Sequence, residues 1–349
     1  MRPRRVLVTG ASRYLGGRLA TWLAADPAIE VVIGVDTVAP KTDLGRTEFV
    51  RADIRNPLIG KVISQAEIDT VVHMNVIATP VTAGGRAAMK EINVIGTMQL
   101  LAACQKAPSV RKLVVKSTTG VYGSSGRDPA LFTEQTEPRS VPQSGYAKDI
   151  TEVEGYVRGF GRRRPDVVVS TLRFTNFVGP RVDTPLTRYF SLPTVPTVLG
   201  FDPRLQFLHE DDALAALHRA VMQDLPGITN IGGDGVLLLS QAIRRAGRVQ
   251  LPVPAPLVHV AAQLARRSGL VDFSPEQLTF VEYGRAVDTT RMRDVFGFTP
   301  RYTTRAAFDD FVRARGLRHV SPEQLEAVEH TALALAVRAD DFVRGGAHA

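Results

Sequence analysis

Cysteine is nearly absent from this chain. Of 349 residues only Cys104 is one, which excludes an internal disulfide and is compatible with a reducing compartment. Long hydrophobic runs are missing too, and no apolar stretch approaches the length of a membrane span. The basic opening Met1-Arg2-Pro3-Arg4-Arg5 runs straight into an apolar segment, with no separate hydrophobic region of the signal-peptide kind. The expected location is therefore the cytoplasm, with no membrane partner. Internal repeats and low-complexity tracts are also absent. The net charge of +8 admits nucleic acid as a ligand, but Arg162-Arg163-Arg164, Arg244-Arg245 and Arg266-Arg267 have no interleaved aromatics. They read as solvated basic surface that also attracts anionic substrates, and no specific nucleic-acid partner is expected.

What is present is ordinary soluble-protein composition, 44% hydrophobic and 22% charged, enough for one large core or two joined ones. The informative stretch lies at the start. Val6-Leu7-Val8 stops at Gly10, a small-residue turn follows, and a helical pattern begins near Tyr14. A second apolar run, Val31 to Val35, ends in Asp36. Strand, glycine turn, helix, strand and terminal carboxylate make up a dinucleotide-binding βαβ unit. Gly10 lets the chain turn sharply, Gly16 lets the helix pack against the sheet, and the helix N-terminus attracts a pyrophosphate. Gly10, Ser12, Arg13, Tyr14, Leu15 and Gly16 are thus cofactor-binding candidates. Asp36 is placed to bond the adenosine ribose and would repel a 2′-phosphate, which favours NAD over NADP. One position is unusual: a common spacing asks for glycine where Arg13 stands. Its side chain either swings clear of the phosphates, clamps them, or obstructs them.

Further along, Glu48 to Ile54 reads as a short strand in which Asp53 meets the adenine amino group or caps the next turn, while Ile54 packs on the ring. Ile68 to Asn75 is a buried parallel strand whose end, at Met74, passes under the cofactor; His73 within it is expected to be a packed histidine. A helix is predicted over 87–103, with Asn93 inside it needing partners if buried. The strand after Val110 delivers a hydroxyl cluster, Ser117-Thr118-Thr119, to its carboxyl end. A second helix opens near Ser144 and runs to about Phe160. Val167 to Arg173 is a strand leading to Asn176. Gln206 to Asp212 leads into a helix from Ala213, Ile228 to Gly233 forms a strand and turn, and Asp288-Thr289-Thr290 caps a further helix.

In order and spacing, these features resemble the extended short-chain dehydrogenases/reductases. The nearest likeness is the NAD-dependent epimerase/dehydratase group that includes UDP-glucose 4-epimerase. The residues that carry the likeness span about 5–315: Thr9-Gly10 to Gly16, Asp36, Asp53-Ile54, Val72-His73, Asn93, Thr118 before Val121-Tyr122-Gly123, Lys148 with Glu152, Leu172-Arg173-Phe174, Asn176, Gly179-Pro180, and His209 with Asp211-Asp212. The resemblance implies an α/β protein: a Rossmann-type doubly wound parallel sheet over 1–175, a smaller α/β substrate domain over 176–320 with some interleaving, and a helical tail over 321–349. It implies NAD as cofactor, no metal, a nucleotide-sugar or related small molecule as substrate, and a homodimer formed through helices 87–103 and 146–160.

The family relays a proton through a tyrosine four residues before a lysine that binds the nicotinamide ribose, with a Ser or Thr on the same substrate oxygen. Thr118 matches the hydroxyl and is also a substrate contact with Asn176. The tyrosine–lysine pair is broken. Aligning Tyr146 leaves Ile150 in the lysine place; aligning Lys148 leaves Ser144 in the tyrosine place, and Glu152 favours this second register. The catalytic candidates are therefore Thr118, Ser144, Tyr146 and Lys148, with Tyr146 equally readable as a packing residue. The family's phosphate-gripping arginine, four residues before His209, is replaced by Leu205. Two readings follow: an NAD-dependent epimerase, dehydratase or reductase, or a dinucleotide-binding sensor or scaffold that kept the fold and lost the chemistry.

Overall fold

Apolar runs without a polar face need cover on both sides, which a parallel sheet between helices supplies. The computed structural model describes residues 3–74, 84–137, 145–254 and 275–317. Val6, Leu7 and Val8 are fully buried in β1 (Arg5–Thr9). α1 (Tyr14–Ala25), β2 (Val31–Asp36), β3 (Glu48–Arg51), α2 (Leu58–Gln65) and β4 (Thr70–His73) follow. A continuous helical stretch is then built from α3 (Arg86–Lys90), a π-helical turn (Glu91–Ile95) and α4 (Gly96–Lys106). β5 (Lys112–Thr118), α5 (Gly145–Arg163) and β6 (Val168–Phe174) complete the first half. The second half adds β7 (Asn176–Val178), α6 (Pro185–Ser191), β8 (Thr194–Val198), β9 (Arg204–Leu205), β10 (Phe207–His209), α7 (Glu210–Met222) and β11 (Gly227–Ile231).

Seven strands form one sheet in the order β11-β6-β5-β4-β1-β2-β3, every pair parallel. This is a Rossmann-like doubly wound sheet. The order reverses between β1 and β4, and a crevice opens at their carboxyl ends, where Gly10 and Met74 lie. Alternation divides the core. Val6, Val8, Val72, Val114 and Leu172 face α1 and α7, while Leu7, Val71, Leu113 and Val115 face α2, α4 and α5. A separate cluster around Phe190, Phe207, Phe308 and Phe311 fills the second half.

Two elements differ from the sequence expectation. The predicted regular helix over 87–103 contains the π turn, which carries the buried Asn93. The helix expected from Ala213 begins at Glu210, because His209 caps it by accepting from the Asp211 N–H at 3.1 Å. The acids Glu210, Asp211 and Asp212 then fall in its first turn, where the helix dipole favours them. The helix start read at Asp288 is found, with the Thr290 N–H donating to the Asp288 carboxylate at 2.9 Å. Ser144 and the tail over 321–349 lie outside the described residues.

The tightest contact in the sheet–helix layer is at Gly16, where a Cβ would lie 2.1 Å from the Gly10 carbonyl oxygen. Gly16→Ala is expected to cost about 2 kcal/mol or more, as overpacking against backbone does. A urea melt reads this directly, and an unchanged midpoint would contradict so close an approach.

Candidate cofactor and active site

The turn after β1 is fixed from both sides. Gly10 has φ +75° and donates to the Val35 carbonyl at 2.8 Å. Arg13 has φ −88° and ψ 154°, extended angles open to any residue, so the backbone here does not demand glycine. Its side chain is partly buried, and the Nε has no hydrogen-bond partner. Burial lowers the guanidinium pKa, and the Asp36 charge opposes that shift. Asp36 is buried at the end of β2, where its carboxylate accepts from the Ser12 N–H at 3.2 Å and the Thr37 N–H at 2.8 Å. The Ser12 hydroxyl donates to the Val38 carbonyl.

The flanking candidates are held as follows. The Tyr14 hydroxyl donates to Glu210 at 2.6 Å and accepts from Arg18 at 3.0 Å. Burial and then Glu210 push its phenol up to about 12. Leu15 packs into the α1–α7 core. Asp53 is gripped by Arg55, whose guanidinium donates to both carboxylate oxygens at 2.6–3.1 Å and whose N–H donates at 2.9 Å. The N–H bond is a capping contact, compatible with an adenine role for the same carboxylate. Ile54 is buried against α4, where a Cβ on Gly96 would lie 2.8 Å from it. Met74 is buried at the end of β4, its N–H donating to the Thr9 hydroxyl at 3.1 Å.

At the carboxyl end of β5, the Thr118 hydroxyl accepts from the Gly120 N–H at 3.1 Å. Gly120 lies between this residue and α5. A Cβ there would lie 3.2 Å from Thr118 and 3.7 Å from the Ala147 side chain. Lys148 follows on α5, partly buried, with no hydrogen bond or ion pair from its ammonium among the described residues. Tyr146 packs with Val121, Tyr122, Phe132, Ile150 and Val287, and burial and then the Asp149 charge raise its phenol pKa. Asn176 is partly buried and opens β7, beside Phe207 of β10. Leu205 is buried while Arg204 is exposed, as strand alternation predicts.

Sequence reasoning did not pair the groups that brace this edge. Arg173 donates to Glu154 at 2.9 and 2.6 Å, and Ser117 donates to the same carboxylate at 2.6 Å. Arg173 also donates to the Tyr122 hydroxyl at 2.9 Å, which in turn donates to Asn230 at 2.8 Å. This buried chain ties β5, β6, β11 and α5 together behind Thr118. Beside Lys148, the buried Asp149 accepts from Arg86 at 2.6 and 2.7 Å and from Asn93 at 3.4 Å. Polar residues in apolar strands and helix faces were the available signal; their partners are distant in sequence. Lys116 in β5 was also passed over. Among the described residues, no cluster of three or more His, Cys, Asp or Glu suited to a metal occurs. No described helix is long and apolar enough to cross a membrane.

Residues 6–232 match the NAD dependent epimerase/dehydratase family. The chain belongs to that family. Membership assigns it NAD as cofactor. Among similar proteins, the uncharacterized protein Rv0501 of Mycobacterium tuberculosis is 52% identical over 341 residues, covering 96% of this chain and 91% of its own. A trifunctional UDP-glucose 4,6-dehydratase/epimerase/reductase of Arabidopsis thaliana is 26% identical over 191 residues, covering 51% of this chain and 28% of its own. Of solved structures, the Thermotoga maritima UDP-glucose 4-epimerase with UDP-glucose superposes with a TM-score of 0.69 at 20% identity, over 89% of this chain and 98% of that one. The Thermus thermophilus UDP-glucose 4-epimerase with NAD gives 0.69 at 23% identity, over 89% and 99%. These likenesses establish the shared fold.

His73 is the packed histidine the sequence predicts. Its ring nitrogens meet the hydroxyls of Thr9 at 2.9 Å and Thr97 at 2.8 Å. Burial and then the Lys116 charge lower its pKa from 6.5 to about 4. Between these values the unfolded chain binds the proton and the folded one does not. Stability is therefore lost as pH falls from 6.5 toward about 4, by up to about 3 kcal/mol from this residue. His73→Gln should flatten that part of a stability–pH curve, and an unaltered slope would contradict a neutral buried imidazole.

Proposed function

We propose that this protein is an NAD-dependent oxidoreductase acting on a nucleotide sugar, of the epimerase or dehydratase type. The observation that carries this reading is the meeting of Thr118 and the start of α5 across Gly120, beside the dinucleotide crevice. NAD, when bound, supplies the hydride acceptor. The residues present fit it. Asp36 has carboxylate lone pairs left for ribose hydroxyls beyond its two backbone donors, and its charge disfavours a 2′-phosphate. Lys148, without a described partner, donates to the second ribose. Thr118 donates to the substrate oxygen whose carbon is oxidised, and Asn176 binds the substrate from β7. We place the boundary of the NAD-binding part near 175, with β11 returning to its sheet, and the substrate part over 176–320. The partly exposed Ile95, Met98 and Tyr156 give the packed α4–α5 pair an apolar outer face, which supports a homodimer through these helices. A cytoplasmic location goes with this chemistry.

A tyrosine whose pKa rises above its ordinary value is a poorer base at neutral pH, and burial and Asp149 push Tyr146 that way. A water positioned by Ser144 is the alternative relay. The same observation favours a second reading, a dinucleotide-binding sensor or scaffold without turnover.

The test is product formation from a panel of UDP- and dTDP-sugars, with NAD affinity measured in parallel. Thr118→Val should lower turnover about 100-fold with NAD affinity unchanged. Lys148→Ala should weaken NAD binding about tenfold or more, the loss of a charge-assisted hydrogen bond. Tyr146→Phe should retain turnover, and its abolition would assign the relay to the phenol. NAD binding without product from any sugar would establish the second reading.

A further inference from the structure

β5 carries two lysines on the same face, at opposite ends, and their environments are opposite. Lys112 is saturated, its ammonium reaching the carbonyls of Val221 at 2.8 Å and Gln223 at 3.0 Å and the carboxylate of Asp224 at 2.9 Å. Lys116, at the carboxyl end, has no hydrogen bond or ion pair among the described residues. Its neighbours are the Phe177 ring, 5.9 Å from the ammonium, the uncharged His73, and Arg13, a second cation. Burial and then the Arg13 charge pull the Lys116 pKa down to about 8. Arg13 is equally bare. Arg18, Arg55, Arg164 and Arg173 each hold a carboxylate within 2.6–2.8 Å, whereas Arg13 makes no ion pair among the described residues and its Nε is buried without a partner there.

Two like charges held partly out of water without a described counter-ion are costly. Arg13 stands at the N-terminus of α1, which is itself positive, and Lys116 lies level with the turn before it, since its neighbour Val115 pairs with His73 and His73 with Thr9. Among the described residues, Asp36 is the one acid whose charge acts on Arg13, and no ion pair joins the two. The missing charge is therefore a ligand's. We infer that Arg13 and Lys116 form a two-cation clamp for the diphosphate of the dinucleotide, from the turn above and the strand below. The inference rests on the NAD reading of this crevice and adds to it. A side-chain clamp does work here that the turn and helix N–H groups would otherwise do alone. It also gives Arg13, which stands where glycine is common, a binding role in place of an obstructive one.

The test compares wild type, Arg13→Gly, Lys116→Met and the double variant by calorimetry. The probes are NAD, inorganic pyrophosphate as competitor, adenosine and UDP-glucose, and melting of the ligand-free protein is followed alongside. Wild type should bind NAD and release it to pyrophosphate. Each single variant should bind NAD at least tenfold more weakly, the double variant should lose pyrophosphate competition, and adenosine binding should not change. Ligand-free Lys116→Met should melt at a higher temperature than wild type, since an unpaired, partly buried cation is removed. A simple packing role for the lysine would not give stability and affinity changes of opposite sign. Variants that bind NAD and pyrophosphate like wild type would overturn the clamp and leave the NAD reading intact. Weakening of UDP-glucose alone would also overturn it, assigning the cations to the substrate. Loss of pyrophosphate binding in the variants, in a wild type that does not take NAD, would keep the anion site and remove the cofactor reading. No binding of either probe by wild type would overturn both.

Discussion

The approach of Gly16 to the Gly10 carbonyl sets the geometry on which the rest depends. It seats α1 against the end of β1, so that the helix N-terminus, the Asp36 carboxylate and the Arg13 side chain share one crevice. The reversal of strand order between β1 and β4 keeps that crevice open, and β5 and α5 extend it to Thr118 and Lys148. The second half is tied to the same turn. Glu210 accepts from the Tyr14 hydroxyl at 2.6 Å and from the Val182 N–H at 2.8 Å. One buried carboxylate thus joins the start of α1 to the loop after β7.

Much of this was legible in the sequence because its signals are local. Val6-Leu7-Val8, Gly10, Gly16 and Asp36 lie within one βαβ unit, and period and turn chemistry suffice to place them. His73 was readable as a packed residue from its place in an apolar strand. What escaped depends on pairings between distant positions. Glu154 finds Arg173 and Ser117, Asp149 finds Arg86, and Lys116 meets Arg13 only through the folded sheet. The π turn was not readable either, since the apolar series Met89, Ile92, Ile95 and Met98 looks helical in sequence although the turn leaves Ile95 and Met98 exposed. The start of α7 was missed because its cap is a histidine, which is not among the preferred capping residues.

The buried polar groups fall into two kinds. The Glu154–Arg173–Tyr122–Asn230 chain is closed, with each member holding a partner, and it stiffens the sheet edge behind Thr118. Arg13, Lys116 and Lys148 are open, cationic groups around the crevice, with no carboxylate among the described residues holding them. Closed networks give the fold its rigidity, and the open cations suit an anionic dinucleotide and a nucleotide-sugar substrate. The altered tyrosine position leaves this electrostatic arrangement untouched; under the proposed function it bears only on the proton relay.

The most direct measurement is absorbance at the wavelength of reduced nicotinamide when NAD-loaded protein is mixed with UDP-glucose and related nucleotide sugars. The account predicts formation of bound NADH, transient or persistent, with at least one of them. A protein that holds NAD and never reduces it with any nucleotide sugar would contradict the oxidoreductase assignment and leave a binding protein built on an enzyme's fold.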